Sequence, residues 1–171
     1  MKKFTVSKAA STGIVMGKAF IAVQEKLEAD TRIIKDSEKD IELAKFKKAV
    51  KDSVAEIKVL AEDSEIFAAH LDVAEDAVLA DSVETKINDE NKNAQLALEE
   101  AVAEIVTMFE SLDDEYLRER AADIKDVGKR MMCKLKGVKS NPFEGIEEEV
   151  IVIAEDLAPS DTANMDFKFI K

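Results

Sequence analysis

The sequence predicts an α-helical bundle of about four helices set between two pieces of an α/β region. Three observations predict it. Between Asp36 and Lys136 there is no proline and only one glycine, Gly128, so neither backbone breaker interrupts long helices. Within that stretch apolar residues recur at steps of three or four, the period of a helix with one buried face. The ends carry instead short β-branched runs, Lys18-Ala19-Phe20-Ile21-Ala22-Val23 and Glu149-Val150-Ile151-Val152-Ile153-Ala154. Turn residues bound them: Gly13 and Gly17 near the first, Gly137, Pro142, Gly145 and Pro159 around the second. Both read as strands, the second buried on both faces. The resulting division assigns residues 36–137 to the bundle, and 1–35 with 138–171 to the α/β portion.

Each helix has a visible start or stop. Ser37 stands three residues before Asp40 in an acidic variant of the capping box and opens the first. Its stripe is Leu43, Phe46, Val50, Val54, Ile57 and Ala61. A second segment runs from about Ser64 and carries Ile66, Phe67, His70, Leu71 and Val73; beyond Glu75-Asp76 a further piece aligns Leu79, Val83 and Ile87. Asn88 to Asn93 reads as a polar loop, since Asn and Asp favour turns. Ala94, Ala97, Ala101, Ile105, Met108 and Leu112 form the stripe of a third long helix, with Ser111 and Asp114 as the next capping pair. The last helix turns Leu117, Ala121, Ile124, Gly128, Met131 and Leu135 inward and stops at Gly137. Burying a large aliphatic side chain contributes roughly 1.5–3 kcal/mol, a gain available only if the stripes pack together. The terminal pieces supply too few strands and covering helices for a complete parallel sheet. The α/β part is therefore expected to be incomplete, and the chain to be a piece of a longer one.

Composition narrows the function. The chain has 171 residues, 46% hydrophobic and 36% charged, with a formal net charge of -12. That balance opposes binding to nucleic acid, whose phosphates must be neutralised by Lys and Arg, and suits a partner with a positive docking face. Cys133, the one cysteine, lies among Met131, Met132 and Leu135 and reads as a small buried thiol. No stretch approaches the roughly 18 apolar residues that span a bilayer. The expectation is a soluble, cytoplasmic protein without membrane insertion.

From Leu112 to Arg130 the sequence reads Leu-Asp-Asp-Glu-Tyr-Leu-Arg-Glu-Arg-Ala-Ala-Asp-Ile-Lys-Asp-Val-Gly-Lys-Arg. This run is similar, nearly letter for letter, to a helix of Enzyme I, the phosphoenolpyruvate-protein phosphotransferases of the bacterial sugar phosphotransferase system. Ser11-Thr12-Gly13 through Ala19 resembles the family's opening segment, with Thr12 where proline is usual. Ile66-Phe67 with His70 resembles a docking helix. Val150 to Ala154 and the run Asp156 to Ala163 resemble a strand and turn of its phosphohistidine domain. The resemblance covers essentially the whole chain. It implies a helical, HPr-docking bundle inserted into an incomplete α/β phosphohistidine (swivelling) domain. It also implies that the chain stops before the Gly-Gly-x-x-Ser-His segment whose histidine takes phosphate from phosphoenolpyruvate. This part should then hold no catalytic residue and no cofactor and be inactive alone. Magnesium is implied for the full-length parent, as is a homodimer through its absent C-terminal part.

The same resemblance assigns HPr contacts to Ile66, Phe67, His70, Val73, Asp76, Leu79, Phe109, Tyr116, Arg120, Asp123 and Lys125. The groove is expected between the second and last helices. Tyr116, Arg120 and Asp123, four and three residues apart, share one face of the last helix. Read without the resemblance, they are a solvated charged face, Phe67 is core and Asp76 is a helix cap. Asp72 and Ala77 depart from the family pattern. His70 makes a poor phosphoacceptor, because its neighbours Phe67, Ala68, Ala69, Leu71 and Val73 offer little acid to orient the ring and few donors to hold phosphate, and the net charge would repel a phosphodianion donor. Asp113-Asp114-Glu115 and Glu147-Glu148-Glu149 lack a ligand spacing, so no metal site is expected. A free-standing helical adaptor that docks a protein without chemistry is the alternative.

Overall fold

The structure, a computed structural model, describes residues 14–22, 27–62, 66–155 and 157–171, the side chain of Ile66 excepted. Two compact units divide the chain, one built from Met1–Val23 with Phe143–Lys171, the other from Gln24–Pro142.

The larger unit is helical. A 3-10 turn, Asp36–Glu38, leads into α1 (Lys39–Ala61), followed by α2 (Ile66–Ala74), α3 (Ala77–Glu90), α4 (Ala94–Glu110) and α5 (Glu115–Lys136). Much of the core comes from the expected stripes: Phe46 and Ile57 from α1, Val83 and Ile87 from α3, Ala97 and Ala101 from α4, Ala121 and Met131 from α5. Leu98 and Val127, outside those stripes, join them, while Met108 and Leu112 are exposed. Cys133 is buried there as a free thiol, its pKa pushed up by burial. Among the described residues of this unit the helix count rises to five because the second segment breaks at Glu75-Asp76. There the Asp76 carboxylate accepts from Val78 N–H (2.6 Å) and Leu79 N–H (3.2 Å) and starts a new helix.

Three boundaries differ from the expectation. Ser37 does not cap α1; the Glu38 carboxylate accepts instead from the Lys35 backbone N–H at 2.9 Å. The polar run from Asn88 does not loop at once, since α3 continues to Glu90 and stops only where Asn91 takes φ +54°. At α5 the cap is Asp114, which accepts from Leu117 N–H, while Ser111 closes α4. Gly137 ends α5 in the left-handed region as expected, with φ +67°.

The segment before residue 36, read as part of the α/β portion, packs with the helices. Asn93 shows why: its Oδ1 caps α4 through Gln95 and Leu96 N–H, while Nδ2 donates to the carbonyls of Asp30 (2.7 Å) and Arg32 (2.8 Å). Ile34 follows into the core.

In the smaller unit β1 (Lys18–Ile21) pairs in parallel with β2 (Val150–Ile153), Lys18 opposite Val150 and Ile21 opposite Ile153. A short helix, α6 (Pro159–Ala163), follows, and Ile170 bridges back to Val150 in parallel. β2 is less covered than its apolar run suggests: Val150 is buried but Ile153 is 53% exposed, for only one described strand pairs with it over its length. The opening Ser11-Thr12-Gly13 and Asp156 lie outside the described residues.

Candidate protein-docking site

Where α2 hands over to α3, the surface opens into a cleft of about 240 Å³ against the end of α4 and the first half of α5. Its floor is apolar: Val73 from α2, Leu79 from α3 and Ile124 from α5 are buried, and Ile105 and Phe109 from α4 are half-buried. Val78 and Met108 stand on the lips, Met108 53% exposed. Three charged side chains complete the lining, Asp72, Asp76 and Arg120. An apolar floor with a few charges at its edge is the composition of a protein contact, where apolar burial contributes affinity and charges set register.

Behind Arg120 lies a polar chain that links two helices. The face of α2 that carries Phe67, His70 and Val73 turns inward, placing the His70 ring edge-on to Phe67 with centroids 5.2 Å apart. His70 Nε2 lies 3.2 Å from Asp123 Oδ1 on α5, and 4.0 Å from Asp126 Oδ2. The other oxygen of Asp123 faces Arg120, one turn earlier, with Nη1 at 3.9 Å. A carboxylate only accepts, so Nε2 carries the proton in the His70–Asp123 bond. The sequence neighbours of His70 were expected to offer little acid to orient its ring; the acid comes instead from α5, beyond the reach of local sequence.

Of the residues expected at the site, the cleft gathers Val73, Asp76, Leu79, Phe109 and Arg120, with Asp123 behind the last. Phe67 and His70 are corrected as surface contacts. His70 is 2% exposed and Phe67 hardly more, because their helix face forms the α2–α5 seam. Asp76 lines the cleft while its Oδ1 serves as the α3 cap. Tyr116 stands free at the start of α5, 64% exposed and outside the cleft lining. Lys125 also lies outside it, its Nζ held 2.6 Å from Glu110 Oε1 of α4. Ile66 opens α2, but its side chain is outside the described residues. Ile105 and Met108 belong to the α4 stripe that the sequence predicts to be core. Periodicity gave their helix face, and what it lacked was the point along α4 where that face is no longer covered. Among the described residues no group of three or more His, Cys, Asp or Glu could hold a metal ion, and no helix is long and apolar enough to cross a membrane.

The family model described as PEP-utilising enzyme, N-terminal, matches residues 7–120, more than half of the chain. The chain belongs to the PEP-utilising enzyme family. Within it, the chain is 43% identical to a phosphoenolpyruvate-protein phosphotransferase of Priestia megaterium, over 95% of this chain and 30% of that protein. It is 38% identical to one of Staphylococcus aureus, over 100% of this chain and 31% of that protein. The chain thus spans about 30% of the length of these curated relatives. Among solved structures, an NMR solution structure of an Enzyme I protein superposes with TM-score 0.77 at 41% identity. That match covers 90% of this chain and 66% of the other. The N-terminal domain of Enzyme 1 - Nitrogen superposes at TM-score 0.66 and 17% identity, which shows the fold alone. This member of the PEP-utilising family therefore carries the mostly helical fold of the Enzyme I N-terminal region.

Proposed function

We propose that this chain is the N-terminal, carrier-docking part of a phosphoenolpyruvate-protein phosphotransferase, and that its partner is the phosphocarrier HPr. The observation that carries the proposal is the cleft. It joins an apolar floor from four helices to Arg120 and two carboxylates at its edge, on a chain whose relatives bear that enzyme's name. A phosphate relay needs partners that leave quickly. A small cleft with a charged rim serves that need, giving a modest interface in which a few central side chains carry affinity. The net charge of -12 suits a basic docking face on the carrier and speeds encounter.

The helical unit lies in sequence between the two segments of the strand-bearing unit, which supports its reading as an insertion in an α/β phosphohistidine domain. The 171 residues include no Gly-Gly-x-x-Ser-His segment, and their single histidine, His70, is buried. The chain alone should therefore accept no phosphate. Phosphoenolpyruvate and magnesium binding and dimer contacts would belong to the parts of the relatives that this chain does not span, and the whole protein would work in the cytoplasm.

The test is a titration of the isotope-labelled chain with HPr, followed by amide and methyl chemical shifts. Shifts should concentrate at Val73, Leu79, Met108, Phe109 and Arg120. No shifts at high carrier concentration, or shifts confined to another face, would overturn the docking reading. Incubation with labelled phosphoenolpyruvate should leave the chain unlabelled; acid-labile label on His70 would contradict the second part.

A further inference from the structure

We propose that His70 is a positioning residue for docking: buried out of reach of any partner, it presets Arg120 at the cleft through the carboxylate of Asp123. The proposal rests on the docking reading above and adds the device that readies its charged rim.

Three observations carry it. Asp123 divides its two oxygens, Oδ1 accepting from His70 Nε2 at 3.2 Å and Oδ2 facing Arg120 Nη1 at 3.9 Å. The His70 ring cannot swing away, since it is 2% exposed and wedged edge-on against Phe67. Arg120 is a cleft-lining residue on the same face of α5 as Asp123, one turn apart. An arginine loses much rotamer freedom when it binds if its side chain is otherwise free. A carboxylate fixed from behind by a buried ring removes part of that loss beforehand, the general advantage of preorganisation. A purely structural histidine at this place would need no acceptor that also faces a cleft arginine.

The experiment has three readouts on the full chain. Long-range proton–nitrogen correlations should show a proton on His70 Nε2; an unprotonated Nε2 would overturn the proposal directly. In His70→Phe, which keeps an aromatic ring beside Phe67, the Arg120 Nε–H signal should move toward that of a free arginine. HPr binding should weaken about three- to tenfold, the scale of one hydrogen bond. His70→Gln retains an N–H donor and should recover part of both effects, and it keeps the test open if the Phe variant folds poorly. In an Arg120→Ala background the His70 substitutions should cost no further affinity. Full additivity of the two changes, or an Arg120 signal unmoved by His70→Phe, would overturn the positioning role. If Arg120→Ala weakens HPr binding while His70→Phe does not, docking stands and only this proposal falls. If wild-type chain binds no HPr, the docking reading falls, and this proposal with it.

Discussion

Gly128 on α5 meets Val102 on α4 so closely that a β-carbon at position 128 would lie 2.8 Å from Val102 Cγ2. Real β-carbons essentially never approach that near, and valine has little freedom at χ1 to withdraw. The contact explains the one glycine inside the long helical stretch. It lets the two helices approach.

Gly128→Ala sets two effects against each other. Alanine favours the helix by about 1 kcal/mol, whereas overpacking costs about 1–3 kcal/mol. The clash should win, leaving a net loss of up to about 2 kcal/mol in denaturant unfolding. Adding Val102→Ala should make the pair markedly less damaging than the sum of the singles. Additive losses would show that α4 and α5 do not meet there.

Asn93 joins two tasks in one buried side chain. Its oxygen caps α4 and its nitrogen holds the carbonyls of Asp30 and Arg32. Asn93→Ala should cost about 1–3 kcal/mol, from the lost cap and two carbonyls left without that donor. Asn93→Asp keeps the cap but loses the donor. Its amide exchange should quicken around Ile34 while the first turn of α4 stays protected.

Why these elements were legible in sequence, and the site less so, follows from the range of each interaction. The Phe46–Ile57 and Ala121–Ile124–Met131 stripes repeat every three or four residues, and Gly137 closes its own helix, so local pattern suffices. Asp76 was readable as a cap because capping acts over two or three residues. The His70–Asp123 bond spans 53 positions and depends on how α2 crosses α5, which no periodicity encodes. Met108 obeys the stripe of α4 and is still exposed, because a stripe does not say where its cover ends. Asn93 carried a turn signal, yet its reach to Asp30 and Arg32 appears only in three dimensions.

Glu56 gives the helical unit an acid-sensitive tie. Burial alone would raise its carboxyl. Hydrogen bonds and charge from Lys134 and Arg130, with Arg130 Nη1 at 2.9 Å from Oε2, outweigh this and hold it below its ordinary 4.5. A depressed carboxylate adds stability that is fully present above the unfolded value and lost as pH falls through the lower folded value. More than a third of Glu56 is exposed, so screening keeps the contribution on the order of 1 kcal/mol. Glu56→Gln should therefore be less stable than wild type at neutral pH, the gap narrowing as pH drops below about 4. A gap constant across that range would show that the ion pairs add nothing pH-dependent.

Met108 and Tyr116 separate docking from folding. Both are more than half exposed, so substituting either should leave helicity and melting near wild type. Met108 stands on the lip of the cleft, whereas Tyr116 begins α5 one turn before Arg120 and outside the lining. A carrier that only fills the cleft would need Met108 and ignore Tyr116; one that also rides along α5 toward its start would need both. The resemblance to Enzyme I contacts, and the enrichment of tyrosine at binding hot spots, favour the longer footprint. Met108→Asp puts a charge at the lip of an apolar floor, and Tyr116→Ala removes a large exposed ring. Each should cost on the order of 1–2 kcal/mol of HPr binding by calorimetry. Loss with Met108→Asp alone would confine the footprint to the cleft. Binding unchanged by both, with the folds intact, would place the carrier on another face of the bundle.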